Sequence, residues 1–307
     1  MLVVGCGDVG LRVAQALGSG SGGARLLALT SSPDRTPTLR RHGLTPLLGN
    51  LDVPASLRRL SGIATRVVHL APPPGEGQVQ WWRDPRTQAL LRALRLRTAP
   101  TSLVYGSTSG VYGDCGRAWI NETRATAPST ARAQRRVDAE RSVRRWGKAG
   151  LRVSILRIPG IYALGRDNGT PAARLRKGTP VLAAPDDVFT NHIHADDLAG
   201  LIVAALARYQ GGIRVFNACD NFPLPTGTWL ECVAAFAHLP PLPRLPRAAL
   251  QQVVSPALWS FLRESRRVSN QRIRHELRYP LRYPDVGVFF TAHAPCRSCF
   301  GAPEGEG

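Results

Sequence analysis

The sequence predicts an α/β protein with a doubly wound parallel sheet and a smaller lobe toward the C-terminus. Three observations predict it. A short apolar strand, Leu2-Val3-Val4, runs into a glycine-rich turn, Gly5-Cys-Gly-Asp-Val-Gly10, and then into helically spaced apolar residues over 11–17. Apolar strands and helical stretches then alternate up to about residue 160, the pattern of parallel strands joined by crossover helices. The 307 residues are 43% hydrophobic, which is enough to bury a core of that kind.

The first element carries the most information. In Gly5-x-Gly7-x-x-Gly10 the first glycine permits the tight turn and the second lets a pyrophosphate reach the backbone. The third lets the helix pack close to the strand, and the helix N-terminus faces the phosphate charge. Gly5, Gly7, Asp8, Val9 and Gly10 are therefore the expected contacts of a dinucleotide. The second strand, 25–29, ends in Thr30-Ser31-Ser32, where an NAD site usually has an acidic residue for the ribose 2′-hydroxyl. A neutral end followed by Arg35 suits a 2′-phosphate. The expected cofactor is NADP in preference to NAD, with Thr30 and Arg35 at the point of selection.

Further strands are expected at 46–48, 66–70 and 101–105, with a helix over 87–96. Asn50 follows the third strand, and Leu70 and Ala71 close the fourth. All lie at carboxyl ends of strands, where ligands bind in such sheets. Asn50 either meets an adenine or only forms a turn. Past residue 160 the pattern loosens into a loop-rich stretch, a helix over 197–209 and a strand at 215–217. A proline-dense connector (239–246) and a basic helical stretch (247–280) follow. The expected division is a nucleotide-binding part over 1–160, a substrate-side lobe over 161–285 that is interleaved with it near 190–217, and a divergent tail over 286–307, disordered from about Ala294.

The formal charge is +19, and lysine occurs only at Lys148 and Lys177. The arginines are spread along the chain, which favours a solvated surface over nucleic-acid binding. The six cysteines are scattered, and Cys296-Arg-Ser-Cys299 lacks the second ligand pair of a zinc site. No apolar run reaches the roughly 18 residues that cross a bilayer, and the apolar start has no basic leader. A soluble, cytoplasmic protein is expected. Its partners would be a dinucleotide and a small substrate, without metal, membrane or nucleic acid.

The order of these features resembles the extended short-chain dehydrogenase/reductase superfamily, of the NAD-dependent epimerase/dehydratase type, with its Rossmann-like sheet. The matching pieces are GCGDVG, Ser107-Thr-Ser-Gly-Val-Tyr-Gly113, Leu156-Arg-Ile-Pro-Gly-Ile-Tyr162, His192-Ile-His-Ala-Asp-Asp-Leu198, Val215-Phe-Asn217 and Ser269-Asn-Gln-Arg-Ile273. Together they cover roughly residues 1–285. The resemblance implies a catalytic hydroxyl at Thr108. It also implies a later Tyr and Lys four residues apart, with a Glu four residues beyond the Lys. Glu140 matches that Glu. Counting back places Arg136 at the Lys position and Arg132 at the Tyr position, so the chain resembles an atypical subgroup without the usual pair.

That replacement matters chemically. A tyrosine phenol gives and takes a proton, and the lysine beside it lowers its pKa and holds the nicotinamide ribose. Arginine stays a cation and offers no base at working pH. Arg136 can still donate to ribose or phosphate, and Arg132 can hold an anion or stabilise an oxyanion. Tyr112, in the VYG turn, is the nearest alternative acid. Tyr162 and His194 fall where the family carries such residues and read as structural. Thr190 stands where nucleotide-sugar enzymes often carry a phosphate-gripping arginine, with Arg174 and Arg176 as nearby cations. Three functional readings follow. One is an NAD(P)-dependent oxidoreductase or epimerase acting on a small carbonyl or sugar-type substrate with a non-standard acid/base set. The second is a non-catalytic NAD(P)(H)-binding sensor. The third, resting on charge alone, is a polyanion binder.

Overall fold

The computed structural model describes residues 1–18, 25–75, 77, 79–166, 170–208 and 211–293. Seven strands form its centre: β1 (Leu2–Val4), β2 (Leu27–Thr30), β3 (Thr45–Leu48), β4 (Arg66–His69), β5 (Ser102–Thr108), β6 (Arg152–Ile158) and β7 (Ile213–Asn217). They lie in the order β7-β6-β5-β4-β1-β2-β3, and every neighbouring pair is parallel. β1 is buried along its whole length and β5 over all but its last residue. Parallel strands covered on both faces require this.

The covering comes from four helices: α1 (Asp8–Gly18), α3 (Pro85–Leu94), α4 (Ala131–Gly147) and α6 (Ala195–Arg208), with the short α2 (Thr36–Arg41) at the β2–β3 crossover. On one face Val13 of α1 and Leu198, Leu201 and Ile202 of α6 pack with Val68, Val104, Leu156 and Phe216. On the other, Leu90 and Leu94 of α3 and Val143 and Trp146 of α4 pack with Leu103, Tyr105, Val153 and Ile155. α3 starts at Pro85, two residues before its expected start. Asp84 caps it by accepting from the Thr87 amide at 3.1 Å, and proline fits a first helical turn.

Strand order reverses between β1 and β4. In an open α/β sheet that reversal opens a crevice at the carboxyl ends of the strands. Here the Gly5 turn follows β1 and Leu70-Ala71 follows β4.

The remaining helices, α5 (Ala172–Leu175), α7 (Thr226–Phe236), α8 (Arg247–Val253), α9 (Pro256–Leu262), α10 (Gln271–His275) and α11 (Val286–His293), follow in the second half of the chain. A separate apolar cluster joins Tyr162, Leu175, Val181, Trp229 and Phe289. Two expectations are corrected here. The basic stretch over 247–280 is not one helical run: Ser255 caps a new helix at Pro256, and Arg267–Val268 pairs with Trp119–Ile120. The divergent segment from 286 begins as a helix, because its apolar residues bury Val286 and Phe289 in the Tyr162 cluster. The disorder expected from Ala294 falls outside the described residues.

A buried ion pair fixes α4 on the sheet. Glu140 accepts from Ser107 Oγ of β5 at 2.7 Å and from Arg157 Nε and Nη2 of β6 at 3.1 and 2.8 Å. Both charged side chains are only 3% exposed, so neither can fall back on water. Glu140→Ala would strand Arg157 as a buried cation. The expected loss is about 3–5 kcal/mol of unfolding free energy, read by denaturant unfolding.

Candidate functional site

Two clefts meet at the carboxyl edge of the sheet. The first has a volume near 740 Å³ and follows the reversal between β1 and β4. Its floor is the glycine turn. Gly5 has φ +83°, and a Cβ there would stand 2.2 Å from the Ala71 amide nitrogen, so only glycine allows β1 and β4 to approach this closely. Gly7 is the opposite case: a Cβ there would meet nothing within 4 Å. Its bare backbone faces the open cleft, ahead of the first turn of α1.

Every residue expected to contact a dinucleotide lines this one cleft: Gly5, Gly7, Asp8, Val9, Gly10, Thr30, Arg35, Asn50, Leu70, Ala71 and Arg136. Arg35 Nη2 donates to the Cys6 carbonyl at 2.8 Å, which holds its guanidinium between the end of β2 and the glycine turn. Asn50 forms a turn, its Oδ1 accepting from the Asp52 amide at 2.9 Å, while still lining the cleft. Arg136 donates to the Gly106 carbonyl at 2.8 Å and to Tyr105 Oη at 3.0 Å, which pins it to the end of β5. Two features were not anticipated from the sequence. Arg166 reaches back from the second half of the chain to pair with Asp8 at 3.1 Å, and Arg86 clasps Asp52 through two bonds of 2.7 and 2.6 Å. No local motif announces either pair, because each joins distant segments.

The second cleft, near 540 Å³, lies on the side of the C-terminal lobe. Tyr162, His192 and Trp229 form an aromatic wall, with His192 and Trp229 ring centroids 4.2 Å apart. Phe261 of α9 faces it and lies 4.2 Å under the Arg132 guanidinium. Thr108, Arg132, Pro159, Ile161 and Phe261 line both clefts and so mark their junction. Arg132 is exposed there. Its pKa is pushed down by burial of part of the side chain and by Arg136 and Arg135 nearby; it remains a cation at any working pH. Thr108 Oγ1 accepts from the Gly110 amide at 3.2 Å. Its own proton is left to donate. Thr190 and Arg174 line the second cleft, and Arg176 does not.

Tyr112 requires a correction. It lines neither cleft. Its ring is 1% exposed, its Oη donates to Asn217 Oδ1 at 2.7 Å, and burial pushes its pKa up to about 12. Apolar packing around the VYG turn draws it into the core, so it cannot serve the junction. Burial also leaves His192 neutral, with a pKa lowered to about 3, and lowers His194 to about 4. It drives the Tyr162 phenol far upward. Among the described residues no three His, Cys, Asp or Glu side chains converge as a metal site. No described helix is long and apolar enough to cross a membrane.

The family model described as "NAD dependent epimerase/dehydratase family" matches residues 1–219. The chain belongs to that family. A functionally unknown conserved protein from Silicibacter pomeroyi is 29% identical, with a TM-score of 0.74 over 95% of this chain and 98% of its own. MoeE5 in complex with UDP-glucose and NAD is 19% identical, with a TM-score of 0.72 over 95% of this chain and 98% of its own. Human epimerase family protein SDR39U1 (isoform 2), with NADPH, is 18% identical, with a TM-score of 0.72 over 96% of this chain and 99% of its own. These last two likenesses concern the fold. No curated protein matches the chain. From α4, Arg132 lines both clefts and Arg136 lines the first.

The depressed histidine fixes the sign of a pH effect. Above its ordinary pKa of 6.5, His192 is neutral folded or unfolded, and its full contribution to stability is present. Below 6.5 the unfolded chain takes up a proton that the folded chain refuses until about pH 3. Stability is therefore lost as pH falls through that window, by up to about 1.4 kcal/mol per pH unit for this one group. His192→Asn removes the effect. The Tm advantage of the native protein over the variant should shrink steadily from neutral pH to about pH 5, as read by calorimetry.

Proposed function

We propose that the first cleft holds a nicotinamide dinucleotide, NADP(H) in preference to NAD(H), and that the chain is an oxidoreductase or epimerase-like enzyme acting on a small carbonyl or sugar-type substrate in the second. The observation that carries this reading is the open backbone at Gly7 in front of α1, in a cleft that runs unbroken to Thr108 and Arg132. A pyrophosphate fits where a side chain at position 7 would stand, with helix N-terminal amides to bind it. Thr30 brings no carboxylate against a 2′-phosphate, and Arg35 offers it a guanidinium. Arg136 replaces the family's lysine as a donor to the nicotinamide ribose.

A bound dinucleotide supplies a hydride donor or acceptor at the junction of the clefts. The chain's part is to orient the substrate and carry the developing charge. Arg132, permanently charged, and the Thr108 hydroxyl are placed to hold an oxyanion. Neither the buried His192 nor the Tyr162 phenol is poised to trade a proton near neutral pH. Residue roles here rest on position in the clefts and on the resemblance of their motifs.

Among the described residues neither His192 nor Tyr162 is a poised acid, and this favours a second reading, a dinucleotide-binding sensor without turnover. Calorimetric titration with NADPH and NADH, beside a carbonyl-reduction assay, separates the two. NADPH is expected to bind about tenfold or more tightly than NADH, as one charge-assisted contact would give, and Arg35→Ala to erase that preference. Gly7→Asp places a carboxylate against the pyrophosphate and should abolish binding of both. Tight binding without turnover selects the sensor. Absence of binding by either dinucleotide overturns both readings.

A further inference from the structure

The second cleft carries a charge imbalance that neither cofactor binding nor the family assignment uses. Three of its lining residues are arginines, Arg132, Arg174 and Arg266, against a single carboxylate, Glu264. That carboxylate is already committed. Arg266 pairs with it, and Ser129 Oγ donates to its other oxygen. His192 adds no charge. The other two arginines therefore face the cavity without an acidic partner among the described residues.

Arg174 is the more informative of the two. It is half-buried, and its Nε is buried with no hydrogen-bond partner among the described residues. Burial depresses its pKa, with no carboxylate to offset the effect. A guanidinium nitrogen buried without a partner is costly, and departures of this kind are expected at functional sites. Arg174 lies on α5, which packs against α7, the helix that carries Trp229. Arg174 thus lines the same cleft as the aromatic wall and, unlike Thr108 and Arg132, does not line the first cleft.

We infer that the second cleft takes a small anionic ligand, whose carboxylate or phosphate head is held by Arg174 and whose flat apolar body lies along Trp229 and Tyr162. This rests on the proposed function for its placement as the substrate cleft, and it deepens that reading by naming the substrate class. The carbonyl end of such a molecule points to Thr108 and Arg132. Arg132 then answers charge formed during reaction, and Arg174 answers charge the ligand brings with it. The aromatic wall selects against a bare inorganic anion, which buries no apolar surface there.

Thermal-shift and calorimetric titrations without dinucleotide test this, using phenylpyruvate, phenyl phosphate and the neutral methyl ester of phenylpyruvate. At least one anion should stabilise the protein, with the ester about tenfold or more weaker. Whichever anion is stronger identifies the head as carboxylate or phosphate. Arg174→Gln should lose the anion's advantage by a similar factor, Arg174→Lys should retain part of it, and the ligand-free Gln variant should unfold no earlier than the native protein. Equal binding of acid and ester, an unchanged anion affinity in Arg174→Gln, or no stabilisation by either anion overturns the inference. A parallel NADPH titration of the Gln variant keeps the two readings apart: dinucleotide binding without anion binding removes only this one, and the reverse removes only the proposed cofactor.

Discussion

The buried contact between Glu140 and Arg157 is the constraint on which the site depends. It ties one face of α4 to β6, and through Ser107 to the end of β5. Arg136 and Arg132 stand one and two turns earlier on the same helix, so their reach into the clefts follows from where Glu140 is held. The residual Nη1 of Arg157 finds no hydrogen-bond partner among the described residues, and its guanidinium instead lies 4.6 Å over the Tyr112 ring. The same pair therefore explains two facts: why α4 is rigidly placed, and why Tyr112 faces inward as part of its packing.

The division of labour among the arginines follows from their partners. Arg157 is structural because a buried carboxylate neutralises it. Arg136 is held by carbonyl and phenol oxygens, which fix its direction without cancelling its charge. Arg132 has an aromatic ring beneath it and no acidic partner among the described residues. Chemically identical side chains thus serve as an internal tie, an oriented donor and an available cation. Formal net charge, which counts them alike, says little about any of these roles.

Much of this was legible in the sequence because it is local. The GCGDVG turn carries its own steric logic, and the strand ends that follow it in register all arrive at one cleft. The position of α4 was legible through Glu140, four residues from Arg136. What was not legible depends on distant segments meeting. Arg166 reaches Asp8, and Phe261 reaches Arg132, across most of the chain, and neither has a neighbouring signal. Tyr112 was misplaced for a related reason: the turn that contains it shows a tyrosine near Thr108, but only packing decides which way the ring points. The segment after residue 285 was read as divergent by composition, although its apolar residues complete the cluster around Tyr162.

The near-absence of lysine has a consequence for reactivity. Neither cleft is lined by a primary amine, and both lysines of the chain, Lys148 and Lys177, are exposed elsewhere. The cations that line the second cleft are guanidinium groups, which do not condense with a simple carbonyl compound to an imine under ordinary conditions. A simple aldehyde or ketone that entered either cleft would lie close to several cations without meeting an amine to trap it. Acylating metabolites likewise meet no primary amine inside either cleft.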